Sequence, residues 1–263
     1  MCSRRLAVFG PTLLLSAVAM LSVAPDTSRS MAKIALRRHA PIRLLGLAED
    51  GTVVSANWAG FVALGKNVTS AKGSWIVPKV NCSKTPNTYS SFWVGIDGYS
   101  DKTVEQIGTL SYCDGNKAYY YGWREFYPQA PVMITTSVHP GDEISASVTY
   151  SGGTFTLKLV NETTGHYSKH TGQVSGADRT SAEWIAEAPS SNNTLLPLAD
   201  FGTALFGEDH TGIRDTCSAK IGSSTGPVGS FTHNKITMDG SASDKAKPSN
   251  LSADGSSFSV TWE

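Results

Sequence analysis

The sequence predicts an all-β protein, built either as a two-sheet sandwich or as a barrel. Short segments of alternating apolar and polar residues recur from residue 53 to the end of the chain, and turn signals rich in Gly, Asn, Asp and Pro separate them. The share of charged residues is low and no long helical pattern is present. Many short strands at this spacing are typical of antiparallel sheets packed face to face.

The clearest strand pair lies within residues 143–160. Apolar residues alternate with polar ones over 144–150 and again over 155–159, and a Ser-Gly-Gly turn joins the two runs. Such alternation buries one face of a sheet and leaves the other in water. The other strand candidates are 58–64, 71–77, 90–96, 118–126, 132–138, 182–187, 201–206, 235–239 and 257–262. Residues 240–256 are rich in Ser, Gly, Asp and Lys, which predicts an exposed loop before the last strand.

The N-terminal residues divide into two segments. Residues 1–24 carry an Arg-Arg pair, an apolar run too short for a comfortable membrane span, and small-x-small cleavage candidates, so we expect a secretory signal peptide. Residues 25–52 are basic and form either a pro-segment or an unstructured leader. A basic pro-segment could lie across an acidic cleft at neutral pH and leave it when carboxylates protonate. Residues 53–263 are predicted to form a single domain.

The charge distribution favours no nucleic-acid partner. The whole chain has no formal net charge, but residues 1–52 carry seven Lys and Arg against three acids. The remaining 53–263 therefore hold 15 basic and 19 acidic residues, a net charge of −4. A nucleic-acid surface would need clustered basic residues, which this part of the chain lacks.

Cysteine usage agrees with export. Cys2 would be lost with the signal peptide, which leaves Cys82, Cys113 and Cys217. Three cysteines allow one intrachain disulfide and one free thiol. Cys82 and Cys113 are the favoured pair, and their bridge would hold the loop that carries Gln106; three buried free thiols are the alternative. The spacing matches no zinc motif.

The common catalytic motifs are missing. The chain has no Gly-x-Ser-x-Gly, no His-Glu-x-x-His, no Gly-rich phosphate loop and no pair of Asp-Thr-Gly segments. His166 and His170 lie on a predicted strand or loop, where spacing of four residues forms no metal clamp. No metal or cofactor is therefore expected.

Carboxylates and amides in an aromatic setting remain as candidate chemical groups. Peptide hydrolysis needs a base for water, a donor for the oxyanion and an acid for the leaving nitrogen. One glutamate can act as base and then as acid, and a neutral glutamine can bind both the oxyanion and the water. An amide also avoids the repulsion between two neighbouring carboxylates. These requirements alone do not select one Gln and one Glu from the many in the chain.

A series of sequence blocks makes that selection. The blocks include Phe-Trp-Val-Gly-Ile-Asp-Gly at 92–98, Glu-Gln-Ile-Gly at 105–108 and Ala-Glu-Trp-Ile-Ala-Glu at 182–187, and the others lie at 57–60, 73–78, 121–128 and 198–202. In order and spacing they resemble the glutamic peptidases (eqolisins, peptidase family G1) over about residues 55–207. The resemblance implies a concanavalin-like antiparallel β-sandwich whose active cleft lies on the concave sheet.

The resemblance also implies roles for individual residues. Gln106 and Glu183 match the catalytic glutamine and glutamate. The positions that line the cleft or support this pair are Trp58, Trp93, Asp97 and Glu125. One departure concerns a supporting carboxylate, because the fungal members carry an aspartate soon after the catalytic Gln-x-Gly and this chain continues with Thr109-Leu110.

Simpler interpretations of the same residues stay open. Gln106 could be an ordinary loop amide, Glu183 a surface acid, Asp97 a turn residue, and the tryptophans part of a core. Two other functions also fit a lectin-like sandwich: a carbohydrate-binding module, or a glycosidase in which Glu183 pairs with Asp97 or Glu125. The sequence favours a secreted, monomeric, pepstatin-insensitive acid endopeptidase that acts on polypeptides, because neither alternative needs the Gln106 motif.

Overall fold

The computed structural model describes residues 37–240 and 245–263, and the predicted signal peptide at 1–24 lies outside them. These residues form an all-β fold with one short α-helix, α1 (Glu208–Thr211), and one 3-10 turn at Val228–Ser230. The strands are β1 (Leu44–Leu47), β2 (Val53–Ser55), β3 (Trp58–Leu64), β4 (Val68–Ile76), β5 (Tyr89–Ile96), β6 (Val104–Asp114), β7 (Lys117–Tyr127), β8 (Val132–Met133), β9 (Glu143–Ser151), β10 (Thr154–Asn161), β11 (His166–Gly172), β12 (Ser181–Glu187), β13 (Ser190–Ser191), β14 (Thr194–Leu195), β15 (Thr203–Phe206), β16 (Ser218–Ile221), β17 (Ser224–Pro227), β18 (His233–Asp239), β19 (Lys245–Pro248) and β20 (Phe258–Trp262).

Two layers pack face to face, as the sequence predicted. The first layer has the strand order β8-β7-β6-β5-β12-β3-β18 and continues through β2 to β1. The second runs β11-β10-β9-β4, and beyond β4 it continues into the pair β16-β17 and the strands β15-β20-β19. β18 also bonds β19, which joins the layers along one side. Except for β2 with β18, these ladders are antiparallel.

The core between the layers is built from alternate residues of the facing strands. Its largest members include Phe92, Phe155, Trp184 and Phe206, each almost completely buried. The indole N–H of Trp184 within this core finds a partner across it, donating to the Lys72 carbonyl oxygen at 2.7 Å. Such pairing keeps the cost of burying polar groups low while the apolar area drives the layers together.

The first layer has a second, outward side, which carries its own cluster of buried residues. This side of β3, β5, β6, β7 and β12 is called the site face below. Its apolar members include Trp58, Val62, Trp93, Trp123 and Ile185. Residues 37–43 run across the site face and cover it.

Most predicted strands are confirmed within a few residues, but three expectations were wrong. Gln106 is the third residue of the 11-residue strand β6 and does not lie on a loop. The candidate 132–138 contains only the two-residue strand β8. The segment 240–256, expected to be an exposed loop, contains β19, which bonds both β18 and β20. In β6 the alternation is masked, because Glu, Gln, Thr and Ser occupy positions that are nevertheless buried.

The cysteine prediction is confirmed. Cys82 and Cys113 form a disulfide with a Cα–Cα distance of 5.3 Å, and Cys217 is a buried free thiol. The bridge holds the distal end of β6 to the segment before β5. No helix of the described residues has the length and apolar character needed to cross a membrane.

Candidate active site

Gln106 and Glu183 lie on either side of one glycine. Strand β5 runs between β6 and β12, and Gly95 is the Cα partner of Gln106 on one side and of Glu183 on the other. Directly paired residues point to the same face of a sheet, so both side chains belong to the site face. Two strand spacings separate their Cα atoms by about 10 Å. The register therefore brings the two predicted catalytic residues together.

Gly95 keeps the space between these two side chains open. A Cβ atom at this position would lie 2.8 Å from the ring of Trp93 and 3.4 Å from Cβ of Gln106. A larger residue would therefore displace the Trp93 ring or fill the gap. Glycine leaves the space above β5 between the two side chains free of a side chain of its own.

The polar atoms around this gap are buried, and several lack partners. Gln106 Oε1 and both carboxyl oxygens of Glu183 make no hydrogen bond of standard geometry within the described residues. Burial raises the pKa of Glu183 well above its ordinary value, and the charges of Asp97, Asp101 and Glu105 add to this effect. The nearby Ser181 hydroxyl opposes it. Buried polar atoms without hydrogen-bond partners lower the stability of the fold, so packing alone does not explain why several are found together here. Their concentration indicates a functional site.

Glu125 on β7 lies in the same cross-strand row as Glu183, Gly95 and Gln106. It is the partner of Gln106 in the β6–β7 ladder, and its Oε2 lies 3.5 Å from Gln106 Nε2. Burial raises the pKa of Glu125 well above its usual range, while the backbone N–H of His39 and the charge of Arg38 oppose the shift. Glu125, predicted to support the pair, therefore lies beside Gln106.

The two predicted tryptophans lie further along the site face, Trp93 one row and Trp58 two rows away from Gln106 and Glu183. Trp58 and Trp93 meet edge to face, with ring centroids 5.0 Å apart. The Trp93 indole N–H donates to Glu187 Oε2 at 2.9 Å. Burial and the charge of Glu125 raise the pKa of Glu187 well above its usual value. Both rings are completely buried in this structure, under the segment that crosses the face.

His39 is the residue of that segment which enters the site. Its backbone N–H donates to Glu125 Oε2 at 2.9 Å, and its carbonyl oxygen accepts from Gln106 Nε2 at 2.5 Å. Its ring stacks on Trp123 with centroids 3.4 Å apart, and Nδ1 lies 2.9 Å from Glu187 Oε2. Burial lowers the pKa of His39 and raises that of Glu187, so it disfavours the charged form of both partners of this contact.

Asp97 lies at the end of β5 and holds the chain before β12. Its two carboxyl oxygens accept the backbone N–H groups of Arg179 and Thr180, each at 2.8 Å. Asp97 has a φ of 72°, a left-handed conformation that Asp tolerates better than most residues. Burial and the neighbouring Asp101 raise its pKa to about 7. These contacts fix the start of the strand that carries Glu183.

Three residues of the site were not among those predicted. Glu187 follows Glu183 by four positions on one face of β12, and the alternation in this strand was a signal that could have identified it. Trp123 could not be assigned to cleft or core, and the structure places it on the site face. His39 gave no signal, because its position depends on how residues 37–43 fold back. Among the described residues, no group of three or more His, Cys, Asp or Glu is arranged to hold a metal ion.

The chain is similar to known peptidases over most of its length. A model of the Peptidase A4 family matches residues 56–261. Aspergillopepsin-2 of Aspergillus niger is 31% identical over 235 residues, covering 79% of this chain and 78% of that protein. The structure of aspergilloglutamic peptidase from Aspergillus niger is 29% identical, with a TM-score of 0.57, and covers 67% of this chain and 99% of that chain.

A crystal structure of scytalido-glutamic peptidase with a transition state analog inhibitor has a TM-score of 0.67 at 23% identity, covering 79% of this chain and 98% of that chain. At this identity the likeness concerns the fold, and it confirms the β-sandwich. The family match, the fungal relative and the sandwich agree with the resemblance in the sequence blocks. The chain therefore belongs to the peptidase A4 family, the glutamic peptidases or eqolisins.

Proposed function

We propose that this glutamic peptidase is a secreted acid endopeptidase in which Gln106 and Glu183 carry the reaction. The observation that supports this assignment most directly is the register that sets both residues beside Gly95. Three buried oxygens without partners surround the gap between them, which is what a site for one water molecule requires.

The reaction follows from the two functional groups. Ionised Glu183 takes a proton from water, and the resulting oxygen nucleophile adds to the carbonyl carbon of the substrate. The carbonyl oxygen becomes an oxyanion, which Nε2–H of Gln106 stabilises while its Oε1 orients the water. Glu183 then gives its proton to the nitrogen as the C–N bond breaks. Burial favours this sequence, because a carboxyl with a raised pKa keeps the proton until the nitrogen accepts it.

Acid pH suits the surroundings of this pair. Glu125 and Glu187 are buried on the site face, and burial raises the pKa of both carboxyls. In acid they stay neutral and add no negative charge beside Glu183. At higher pH their ionisation would oppose the developing oxyanion, so activity should fall towards neutrality. Removal of residues 37–43 from the groove would hydrate Glu183 and move its pKa back towards the ordinary value, which makes the ionised form available in acid.

The remaining predicted residues fit supporting roles. Trp58 and Trp93 would line the groove that takes the substrate chain once residues 37–43 have left it. Asp97 positions the start of β12, and Glu125 contacts the Gln106 amide. Secretion rests on the signal-like residues 1–24 and on the disulfide, which is typical of exported proteins. The domain would act as a monomer on polypeptides.

The decisive experiment compares variants in the digestion of a denatured protein at acid pH. Glu183→Gln should lower the rate by about 10³-fold or more, because general acid–base catalysis is lost. Gln106→Ala should lower it by about 10²-fold to 10³-fold, the usual cost of removing one oxyanion donor. Pepstatin should leave the wild-type rate unchanged, because the proposed catalytic pair is a glutamine and a glutamate and not two aspartates.

Two exposed residues provide matched controls. Glu143 on β9 and Gln129 after β7 both lie in exposed positions. Glu143→Gln and Gln129→Ala should therefore keep the wild-type rate. Full activity in Glu183→Gln, measured on correctly folded protein, would rule out the assignment.

A further inference from the structure

We propose that Ser181 is a positioning residue for the reaction, and that its hydroxyl donates a hydrogen bond to the ionised carboxyl of Glu183. This inference rests on the proposed function, since the same glutamate acts there as base and then as acid. It adds a group outside the Gln106–Glu183 pair that favours the reactive form of Glu183 and fixes the direction of its carboxyl.

Ser181 and Glu183 point to the same side of β12. Ser181 is the first residue of the strand and Glu183 the third, and side chains two positions apart in a strand share a face. Their partners on β3 are Leu64 and Val62. The Cα atoms of Ser181 and Glu183 are therefore about 7 Å apart, a separation that the two side chains bridge when they lean towards each other.

The hydroxyl of Ser181 is buried and lacks a partner. Ser181 is 0% exposed, and its Oγ makes no hydrogen bond of standard geometry within the described residues. Its neighbour Leu64 on β3 has an apolar side chain. A buried hydroxyl without a partner lowers the stability of the fold, and alanine would fill this position without that cost. Packing alone therefore does not explain the serine, and both carboxyl oxygens of Glu183 also lack partners.

The hydroxyl lies close enough to act on Glu183. Burial raises the pKa of Glu183, as do the charges of Asp97, Asp101 and Glu105, whereas the Ser181 hydroxyl lowers it. A group that lowers the pKa of a carboxyl stabilises its ionised form, and a hydroxyl does so by donating to a carboxyl oxygen. Because a serine hydroxyl rotates to suit its acceptor, ionisation of Glu183 should turn this contact into a full hydrogen bond.

The other titratable groups on the site face of the described residues do not favour the ionised form of Glu183. Burial raises the pKa of Glu125 on β7 and that of Glu187 on β12, so neither carboxyl offsets a negative charge. Burial lowers the pKa of His39 in the crossing segment, which disfavours an imidazolium there. The hydroxyl of Ser181 is therefore well placed to oppose the effect of burial on the glutamate.

The backbone holds the Ser181 hydroxyl in place. The Ser181 carbonyl oxygen accepts the backbone N–H of Asp97 at 3.1 Å. The preceding Thr180 donates its N–H to Asp97 Oδ1 at 2.8 Å and its hydroxyl to Asp101 Oδ2 at 3.0 Å. The start of β12 is thus bonded to the end of β5 and to the turn that follows. A donor fixed in this way needs little reorganisation when the carboxyl ionises.

These contacts give Ser181 a defined part in the reaction. One oxygen of ionised Glu183 accepts from the Ser181 hydroxyl, which leaves the other oxygen to take the proton from the water beside Gln106. The hydroxyl gains and loses no proton, so the balance of the reaction is unchanged. Loss of the hydroxyl should raise the pKa of Glu183, and less of the ionised base would then be present at a given acid pH.

The test measures the pH dependence of kcat/KM on a fluorogenic peptide for the full chain and for Ser181→Ala, once the rate at each pH is constant. On the acid side kcat/KM should rise as Glu183 ionises, and this limb reports the pKa of the base in the free enzyme. In Ser181→Ala the limb should move to higher pH by about one unit, the effect of one hydrogen bond to a charged group. Below the midpoint kcat/KM should therefore fall by about 10-fold, whereas the maximum should change much less.

Two further variants separate this role from general damage to the fold. Ser181→Thr keeps a hydroxyl at the same position and should restore the wild-type limb. Ser111→Ala is the matched control, because Ser111 Oγ is also buried without a partner but belongs to the core side of β6. That variant should keep the wild-type profile. If kcat/KM of Ser181→Ala is lowered equally at every pH, the serine is only structural and the inference is wrong.

A direct titration distinguishes failure of this inference from failure of the proposed function. Carbon NMR of isotope-labelled glutamate carboxyls, with the Glu183 signal identified by its absence in Glu183→Gln, should give a higher pKa in Ser181→Ala than in wild type. An unchanged titration of Glu183 contradicts the inference alone. A raised pKa without any shift of the acid limb contradicts Glu183 as the base, and with it the proposed function and the part of Ser181 in the reaction.

Discussion

The two faces of the first layer differ although the same five strands build them. On the side that meets the second layer, β5 and β12 contribute Phe92, Val94 and Trp184. On the site face, the alternate positions of the strands carry Glu183 and Glu187, together with Gln106 and Glu125 from neighbouring strands. Both faces are almost completely buried in this structure. Burial therefore has opposite consequences on the two sides.

On the core side, burial stabilises the fold. Each Å² of apolar surface removed from water contributes about 25 cal/mol, and the indole N–H groups of Trp75 and Trp184 there have hydrogen-bond partners. On the site face, burial raises the pKa of three carboxyls and leaves oxygens of Glu125, Glu183 and Glu187 without hydrogen bonds. No gain in stability explains that arrangement. Buried carboxyls without partners therefore mark the face that is built for chemistry.

Glu105 shows that the division is not complete. It is paired with Ile96, which places it on the core side, and both of its oxygens are buried without a partner. Burial, together with Asp97 and Asp101, raises its pKa to about 9. Glu105, near the start of β6, is therefore a buried carboxyl in addition to those of the site face. Together these carboxyls make the free energy of unfolding depend on pH.

The largest expected effect is a loss of stability as pH rises. The pKa of Asp97 is raised from 3.8 to about 7 and that of Glu105 from 4.5 to about 9, so the folded chain keeps protons that the unfolded chain releases. Each carboxyl should therefore lower the free energy of unfolding by about 1.4 kcal/mol per pH unit between its two pKa values. Denaturant titrations from pH 4 to pH 9 should show a continuous fall in the free energy of unfolding, for which these two pKa differences set an upper limit of about 10 kcal/mol.

Glu105→Gln is the control for this pH dependence. The amide cannot ionise in either state, so the variant should match wild type in acid and lose less stability at neutral pH. If the free energy of unfolding of wild type stays constant or rises over this pH range, ionisation of the buried carboxyls does not destabilise the fold. That result would contradict the difference drawn here between the two faces.

The next largest effect is expected on the core side. Trp184→Ala removes a completely buried indole and its hydrogen bond to Lys72, so it should lower the free energy of unfolding by about 3–5 kcal/mol. The measurement is a denaturant titration at acid pH. A loss below about 1 kcal/mol would mean that the interlayer core does not hold the layers together.

A smaller effect separates the two faces by kinetics. Trp93→Phe removes the indole N–H that bonds Glu187, and we expect kcat/KM to fall by about 10-fold, the equivalent of one hydrogen bond. Trp75→Phe is the matched control, because the Trp75 indole bonds Thr109 on the core side. That variant should lose stability but keep its kcat/KM per folded molecule. Equal kinetic losses in both variants would contradict the division of roles.

The smallest effect is predicted for Glu187→Gln in acid. The carboxyl is neutral there, and the amide oxygen of Gln can still accept from Trp93, so the free energy of unfolding should change by less than about 1 kcal/mol. The same titration as for Trp184→Ala measures it, with Glu143→Gln as the exposed reference. A loss as large as that of Trp184→Ala would show that the site face contributes to stability as the core does.

Several parts of the fold could be predicted from local pattern. The 143–160 hairpin and the strand 182–187 alternate strictly, and both formed as predicted. The same alternation set Glu183 and Glu187 on one face and Trp184 on the other. Strand β6 was missed, because polar residues occupy its buried positions and hide the alternation. Residues 240–256 were assigned to a loop, because β19 is short and is stabilised by partners distant in sequence.

The sequence by itself determined the all-β class and the residue types available for catalysis, because alternation and motifs are local properties of the chain, and it favoured the Cys82–Cys113 pair without excluding three free thiols. Only the tertiary structure decided that Gly95 lies between Gln106 and Glu183, and that His39 contacts Gln106 and Glu125. The physical reason is that strand register and the course of residues 37–43 depend on pairing between segments far apart in sequence. No local pattern records that pairing, and a shift of one residue would turn either side chain to the other face.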